Sequence, residues 1–396
     1  MLDGELTRPE ILLIRIPMKA TLKSCDDLLR IFAPRTKVSE EQTIPTIIYS
    51  GTRNLTFQVM KVVNDARQTY KHKYDPLSPF IRRYHSVTGD DDKAENMDDY
   101  NKDKFPIISS TMALGLGQNM KRVRCVIHMG RGDPAAIVQM VGRCGRDGKM
   151  GLGLLFMEST RSKGKNKVDD FDPEMLQDED ARMDALAVTP LCLRVALTID
   201  NKHGYIPLSS EDRNYIAERA CEIDVGFTPC RCSNCLPEAA DAVLNVIQQI
   251  DVDNFTTILQ DPCSFEEDKS ITIMNRKSKA PPTKATCKYS DIDAAHLVNY
   301  LVDQFAEFYE YTLGESPELL PSDFFGHTQA TAVVKSIDQI REVEPHNLAL
   351  LERRMGGQFS QIKYVSSTSQ SPSGLREITT RKYLRKKLHR QPKKFI

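Results

Sequence analysis

Two groups of residues in this 396-residue chain have the types and spacing to do chemistry. The first lies in QMVGRCGRDGKMG, Gln139 to Gly151, where Arg143 and Arg146 each follow a glycine and precede Asp147 and Gly148. Residues i and i+3 share a face of a helix. Glycine lets backbone or ligand approach closely, and a guanidinium stays charged and offers forked donors. Paired arginines on one side of a short, glycine-flanked helix therefore suit a polyphosphate. The plain alternative is a solvated helix end with two surface arginines. The second group is PCRCSNC, with Cys230, Cys232 and Cys235 after a Gly/Pro-containing turn. Zinc takes four soft, deprotonated ligands in a tetrahedron, so a fourth ligand must come from elsewhere in the chain. The alternative is a set of buried free thiols.

The elements that must hold these groups alternate. RPEILLIRIPMKATLKSCDDLLRIFA (8–33) reads as a strand and then an amphipathic helix. TIPTIIYS (43–50) is a short β-branched run suited to a buried parallel strand, and it ends in the turn Ser50-Gly51-Thr52-Arg53-Asn54. A helix follows, with Leu55, Val59, Val62, Val63 and Ala66 at helical spacing. RRYHSVTGDDD is a strand end and polar turn, and DDDKAENMDDYNKDKF is an exposed helix. FPIISST and VRCVIHMG are further strands. Asp133 caps the next helix, with Pro134 at its first position. GLGLLFME (151–158) is a last strand. The fold class is α/β with a mainly parallel sheet, and the loops at strand C-termini are the expected functional edge.

Beyond residue 158, STRSKGKNKVDDFDPEMLQDED is polar and loop-like, and ARMDALAVTPLCLRVALTID is a helix interrupted at Pro190. Residues 238–250 read as helical, 262–290 as a linker, and 290–314 as a helix capped by Ser290 or Asp291. Two shorter helices extend to about 356, SSTSQSPSG is a flexible linker, and the tail carries eight Lys/Arg between 381 and 394. Lys+Arg and Asp+Glu are both 54, so the net charge gives no global nucleic-acid signal. No apolar run of about 18 residues occurs, so no membrane partner is expected. Ten cysteines without a signal peptide suggest reduced thiols or metal ligands. Cys25, Cys125, Cys144, Cys263 and Cys287 have no partners in spacing and read as packing or surface thiols.

Four segments then coincide in order. IIYSGTRN, YHSVTG, ISSTMALGLGQNMKRVRCVIHMG and IVQMVGRCGRDG resemble motifs IV, IVa, V and VI of the RecQ branch of superfamily-two helicases. The wording departs at Leu114, where the family has Phe, at Asn119 to Arg122, and at Met140, where it has Glu. The resemblance covers about residues 8–236. It implies a second RecA-like domain over 1–158, a zinc-binding subdomain over 159–237, a helical region over 238–360 with a possible winged-helix remnant, and a linker and basic tail over 361–396. It implies that Arg146 is the arginine finger, that Arg143 and Gln139 sense nucleotide, and that Gly115, Gly117 and Asp147 belong to the coupling loops. Stabilising charge spread over phosphoryl oxygens is what an inserted Arg does. Ser50, Arg53, His85, Ser86 and Thr111 are placed by the resemblance on the backbone of DNA, single-stranded or partly duplex; hydroxyls and Arg are the usual phosphate partners. It also implies Cys192, beside Arg194, as the fourth zinc ligand, with Cys221 as the alternative. One residue rather than two separates Cys230 from Cys232, which departs from the family spacing.

The sequence holds no G-x-x-x-x-G-K-[ST] loop. Asp178-Glu179-Asp180 resembles a DExH box, but no apolar strand leads into it, and it reads as a solvated loop. The expectation is therefore half of an ATP-dependent 3′–5′ DNA helicase, using ATP and Mg²⁺ only with a first RecA-like domain supplied elsewhere, and inactive by itself. The alternative is a non-enzymatic, zinc-stabilised DNA-binding or adaptor protein. The tail from Arg381 to Lys394 suits phosphate binding or nuclear import, or is a solvated tail. The expected location is nuclear in a eukaryote and cytoplasmic otherwise.

Overall fold

In the computed structural model, residues 8–338 are described except 74, 87, 116–119, 147, 275, 277–288 and 314–319. The chain divides into two compact units, Met1–Arg276 and Lys277–Ile396. Gly117, Asp147, residues 339–360 and the linker and basic tail over 361–396 lie outside the described residues.

The first unit is built on six strands: β1 (Ile11–Pro17), β2 (Thr46–Ser50), β3 (Ile81–Tyr84), β4 (Ile107–Ser110), β5 (Cys125–Met129) and β6 (Gly151–Met157). Their order across the sheet is β1-β6-β5-β2-β4-β3, and every neighbouring pair is parallel. The α/β expectation with a parallel sheet is met. The central strands are continuous apolar runs because both faces are covered: all residues of β2, β5 and β6 are buried.

Helices α1 (Arg53–Ala66), α2 (Asp90–Asn101) and α3 (Pro134–Val141) connect β2 to β3, β3 to β4 and β5 to β6. The helix expected after β1 is instead a short 3-10 turn, Asp26–Arg30, entered through Cys25 at φ 55°. Its cause is Asp27, whose buried carboxylate accepts from the Lys19 and Ala20 N–H groups and from Arg30. A side chain that satisfies backbone donors in this way competes with helix propagation.

α4 (Glu179–Val188), α5 (Leu193–His203) and α6 (Arg213–Asp224) follow, with the expected break at Pro190. Asp178-Glu179-Asp180 is not a solvated loop. Asp178 caps α4, its carboxylate accepting from Ala181 N–H at 2.7 Å. α7 (Pro237–Val246) and α8 (Phe255–Gln260) complete the unit.

Two apolar layers flank the sheet. One joins Ile14, Ile48, Ile127 and Leu154 to Val59 and Val63 of α1 and to Val243 and Ile258 of α7 and α8. The other joins Ile47, Tyr49, Val126 and Leu155 to Ile137 of α3 and Leu193 and Ile199 of α5. Because α7 and α8 bury their apolar faces in the first layer, the compact unit runs on past the boundary expected at 237/238. In the second unit α9 (Asp291–Leu313), α10 (Pro321–Phe324) and α11 (His327–Val334) enclose a small core in which the Phe305 and Phe325 rings stand 5.2 Å apart. No strand occurs among its described residues, so nothing there forms a wing. No helix among the described residues is long and apolar enough to cross a membrane.

Candidate functional site

The arginine stretch is carried by α3. Asp133 accepts from Ala136 N–H at 2.8 Å and Pro134 occupies the first turn, so the helix starts where the sequence places it. It stops earlier than expected. Val141 is its last residue, Gly142 caps it, and Arg143 to Arg146 form consecutive turns. Gly145 adopts φ +70°, which ends any helical path. The two arginines therefore do not share a helical face: Arg143 is buried and Arg146 is exposed.

Arg8 braces this turn, donating to the carbonyls of Gly142 and Cys144, each at 3.2 Å. A cation on the last carbonyls of a helix offsets its dipole. Arg146 Nε also donates to Gly142 O at 3.4 Å. Desolvation first, then Arg143 and Arg8, push the Arg146 guanidinium below its ordinary value. Burial raises the Tyr49 phenol to about 12, opposed by Arg143 and Arg146. Repelling cations around an exposed guanidinium leave a field that a polyanion relieves. Gln139 is exposed on the last part of α3.

The second set lies at the C-terminal ends of β2, β4 and β3, which are neighbours in the sheet. Ser50 ends β2, Thr111 follows β4, and His85 and Ser86 follow β3. Arg53 is exposed in the first turn of α1, where Thr52 Oγ1 accepts from Leu55 N–H at 3.2 Å. The edge is held together: Ser110 Oγ donates to Tyr84 O at 3.0 Å, and Arg83 donates to Arg53 O at 3.2 Å and to Thr56 Oγ1 at 3.1 Å. Ser50 Oγ is buried without a hydrogen-bond partner. Thr88 Oγ1 lies 3.3 Å from His85 Nδ1. Burial, and then Arg83, Arg53 and Lys93, push its imidazole down to about 4. It is neutral near pH 7, and the positive character of this edge comes from Arg53, Arg83 and Lys93. Gly115 closes a 3-10 turn after Thr111.

Arg83 and Arg8 were not singled out from the sequence. For Arg83 the signal was present in IRRY: period-two alternation in a strand sends adjacent arginines to opposite faces. Arg82 turns to Asp99 at 2.8 Å, and Arg83 turns to α1.

The backbones of the two sets lie at opposite ends of the strands. α3 leaves the C-terminal end of β5 and runs eight residues, about 12 Å at 1.5 Å per residue. Its end is then tied to the chain entering the strands, with Gly145 N–H donating to Val123 O at 3.3 Å. Ser50, Arg53, His85, Ser86 and Thr111 thus lie at or just beyond strand C-termini, whereas the backbone of the arginine turn does not.

A third constellation converges in the loop before α7. The sulfurs of Cys192, Cys230, Cys232 and Cys235 all lie within 4.8 Å of one another. Cys221 is exposed on α6 and outside the cluster. Cys232 Sγ and Cys235 Sγ are 3.6 Å apart, near the edge of about 3.8 Å that a tetrahedron with metal–sulfur bonds of about 2.3 Å requires. Four converging thiols could hold a soft metal ion. Cys192 caps α5, and the Leu193 N–H at that helix start points to Cys232 Sγ at 3.4 Å. Hydrogen bonds with Cys192, Cys230 and Cys235, together with this N–H, push the Cys232 thiol down.

The same loop fastens to β1, the end strand of the sheet. Ser233 N–H donates to Leu13 O at 3.0 Å, and Ser233 Oγ accepts from Arg15 N–H at 3.0 Å. Arg15 donates to the Leu186 and Thr189 carbonyls and to Asn234. Behind the cluster, Arg194 makes a buried two-pronged pair with Glu222 at 2.8 and 2.7 Å.

Residues 24–148 match the helicase conserved C-terminal domain, a span that ends just beyond the arginine turn. The chain is also similar to solved structures at low identity. The C-terminal domain of the DEAD-box protein Dbp5 is 18% identical over 38% of this chain and 78% of that one, with a TM-score of 0.28. The DUF1998 helicase MrfA bound to DNA is 18% identical over 37% of this chain and 19% of that one, TM-score 0.29. Mycobacterium smegmatis helicase Lhr bound to ssDNA and AMP-PNP is 16% identical over 59% of this chain and 29% of that one, TM-score 0.30.

Proposed function

We propose that residues 8–236 are the second RecA-like half and the zinc subdomain of an ATP-dependent 3′–5′ DNA helicase of RecQ type, acting in recombination, repair or replication. The observation that carries the reading is the exposed Arg146 in a braced turn at the end of a matched helicase C-terminal domain. In this reading Arg146 is the finger that reaches the γ-phosphate of ATP, Arg143 and Gln139 sense the nucleotide, and Gly115, Gly117 and Asp147 lie in the coupling loops. Ser50, Arg53, His85, Ser86 and Thr111 hold the phosphate backbone of a DNA strand. Mg²⁺ and the nucleotide phosphates need a Walker loop, which these 396 residues do not contain. A further RecA-like domain supplies it, from the same polypeptide or another chain. Cys192, Cys230, Cys232 and Cys235 hold Zn²⁺, which fixes the fold around them and takes no part in hydrolysis. The protein works in the nucleus of a eukaryote or in the cytoplasm of a prokaryote.

The test joins this chain to its Walker-containing domain and measures DNA-stimulated ATP hydrolysis. Arg146→Ala lowers the rate by a factor on the order of 10³ or more, while binding of single-stranded DNA by the isolated chain stays unchanged. Arg53→Ala weakens that binding and reduces its salt slope by about 1. Parental hydrolysis by Arg146→Ala overturns the reading. In a second reading, a zinc-stabilised DNA-binding or adaptor protein, Arg53→Ala matters and Arg146→Ala changes nothing.

A further inference from the structure

α6 is built inside out. Its acidic residues Glu218 and Glu222 are buried and paired with Lys202 at 2.8 Å and Arg194 at 2.7 Å. Its apolar side faces outward, with Ile216 52% and Ile223 71% exposed. At about 100° per residue, Arg213, Ile216, Ala217, Ala220, Ile223 and Asp224 fall within roughly 60° of a line through Ala220. All six are exposed. An apolar stripe on a soluble helix ordinarily faces a partner.

We propose that this stripe is a self-complementary docking face that pairs α6 antiparallel with α6 of a second copy of the chain. The order of residues selects the occupant. The stripe is apolar in the middle, with a cation at its start and an anion at its end, about 16 Å apart along the axis. Its complement is apolar in the middle with the charges reversed, and turning the same helix through 180° produces that. A two-fold interface needs such self-complementarity, because each copy offers the same patch. Arg213 then faces Asp224 of the other copy, Ile216 meets Ile223, and the small Ala217 and Ala220 let the axes approach to the usual 8–10 Å of packed helices. Neither charge has a structural duty against the swap: Arg213 opens α6 and Asp224 closes it, positions where the helix dipole favours the opposite signs.

Sedimentation of the full chain loaded with zinc tests the proposal. The expected result is a concentration-dependent dimer whose association falls at least tenfold in Ile223→Glu, with helix content and zinc content unchanged. Arg213→Asp and Asp224→Arg each weaken it, and the double exchange restores it. Cys221 is exposed beside the stripe, so a short bismaleimide links two copies in a Cys263→Ser background and fails after Cys221→Ser. A parent that stays monomeric, a dimer indifferent to Ile223→Glu, or a double exchange that does not recover overturns the proposal.

Discussion

Replacing Gly145 with alanine probes the arginine turn more sharply than removing an arginine. Gly145, Gly148 and Gly204 have nearly the same backbone, with φ of +70°, +75° and +76°. Any L side chain there meets left-handed strain of roughly 1–2 kcal/mol, partly offset by about 0.4–1 kcal/mol because the unfolded chain also loses freedom. The sites differ in what surrounds a new Cβ. At Gly148 and Gly204 it meets nothing within 4 Å. At Gly145 it would stand 2.9 Å from Lys149 O, 3.4 Å from Glu10 Cγ and 3.5 Å from Arg8 Nη2. Lys149 O is backbone and cannot swing away, so the turn must shift, at a further cost of about 1–3 kcal/mol. Gly148→Ala and Gly204→Ala should thus each cost about 1 kcal/mol, and Gly145→Ala about 2–4 kcal/mol. Urea titration of the full chain at one slope reads the difference as a shift in midpoint. If Gly145→Ala unfolds no earlier than Gly148→Ala, the turn is not braced by the contacts described and the reasoning fails.

Two more outcomes follow from the site. Cys192→Ser should lower the bound metal and the midpoint of thermal unfolding together, whereas Cys221→Ser should leave one metal per chain; equal loss in both variants would displace Cys192 from the ligand set. Acid should destabilise the first unit through His128, 7% exposed and pushed down to about 4, first by burial. An unfolded histidine takes its proton near pH 6.5. Between about 4 and 6.5 the unfolded chain holds more protons, so stability falls as pH falls through that window, by about 2–3 kcal/mol at pH 4.5. His85 acts in the same direction, less strongly for its exposure. His128→Gln should flatten the profile of urea midpoint against pH, and an unchanged slope would exclude His128 as a cause.

Much of the framework could be read from the chain because it is local. Ile47 and Ile48 sit in a run that only a buried strand explains, and Asp133-Pro134 announces the start of α3. The cysteine cluster was legible despite its irregular spacing, since three sulfurs within one tight turn leave little else for them to do. What was not legible depends on distant partners. The 3-10 turn exists because Asp27 reaches back to Lys19 and Ala20. The inverted α6 exists because Glu222 meets Arg194, 28 positions away. The stop before Arg143 depends on Gly142 and Gly145 together, and helical periodicity alone runs through both.

The fastening of the cysteine loop to β1 bears on how the protein behaves in a tube. β1 is the terminal strand of a six-stranded sheet, seven residues long, and the turn at Ser233 occupies the Leu13 carbonyl and the Arg15 amide on its outer side. A bare strand edge of that kind is a template on which other chains nucleate. If these cysteines hold the ion proposed, stripping it with a chelating buffer should bring turbidity and loss of recovered material along with the lower melting midpoint.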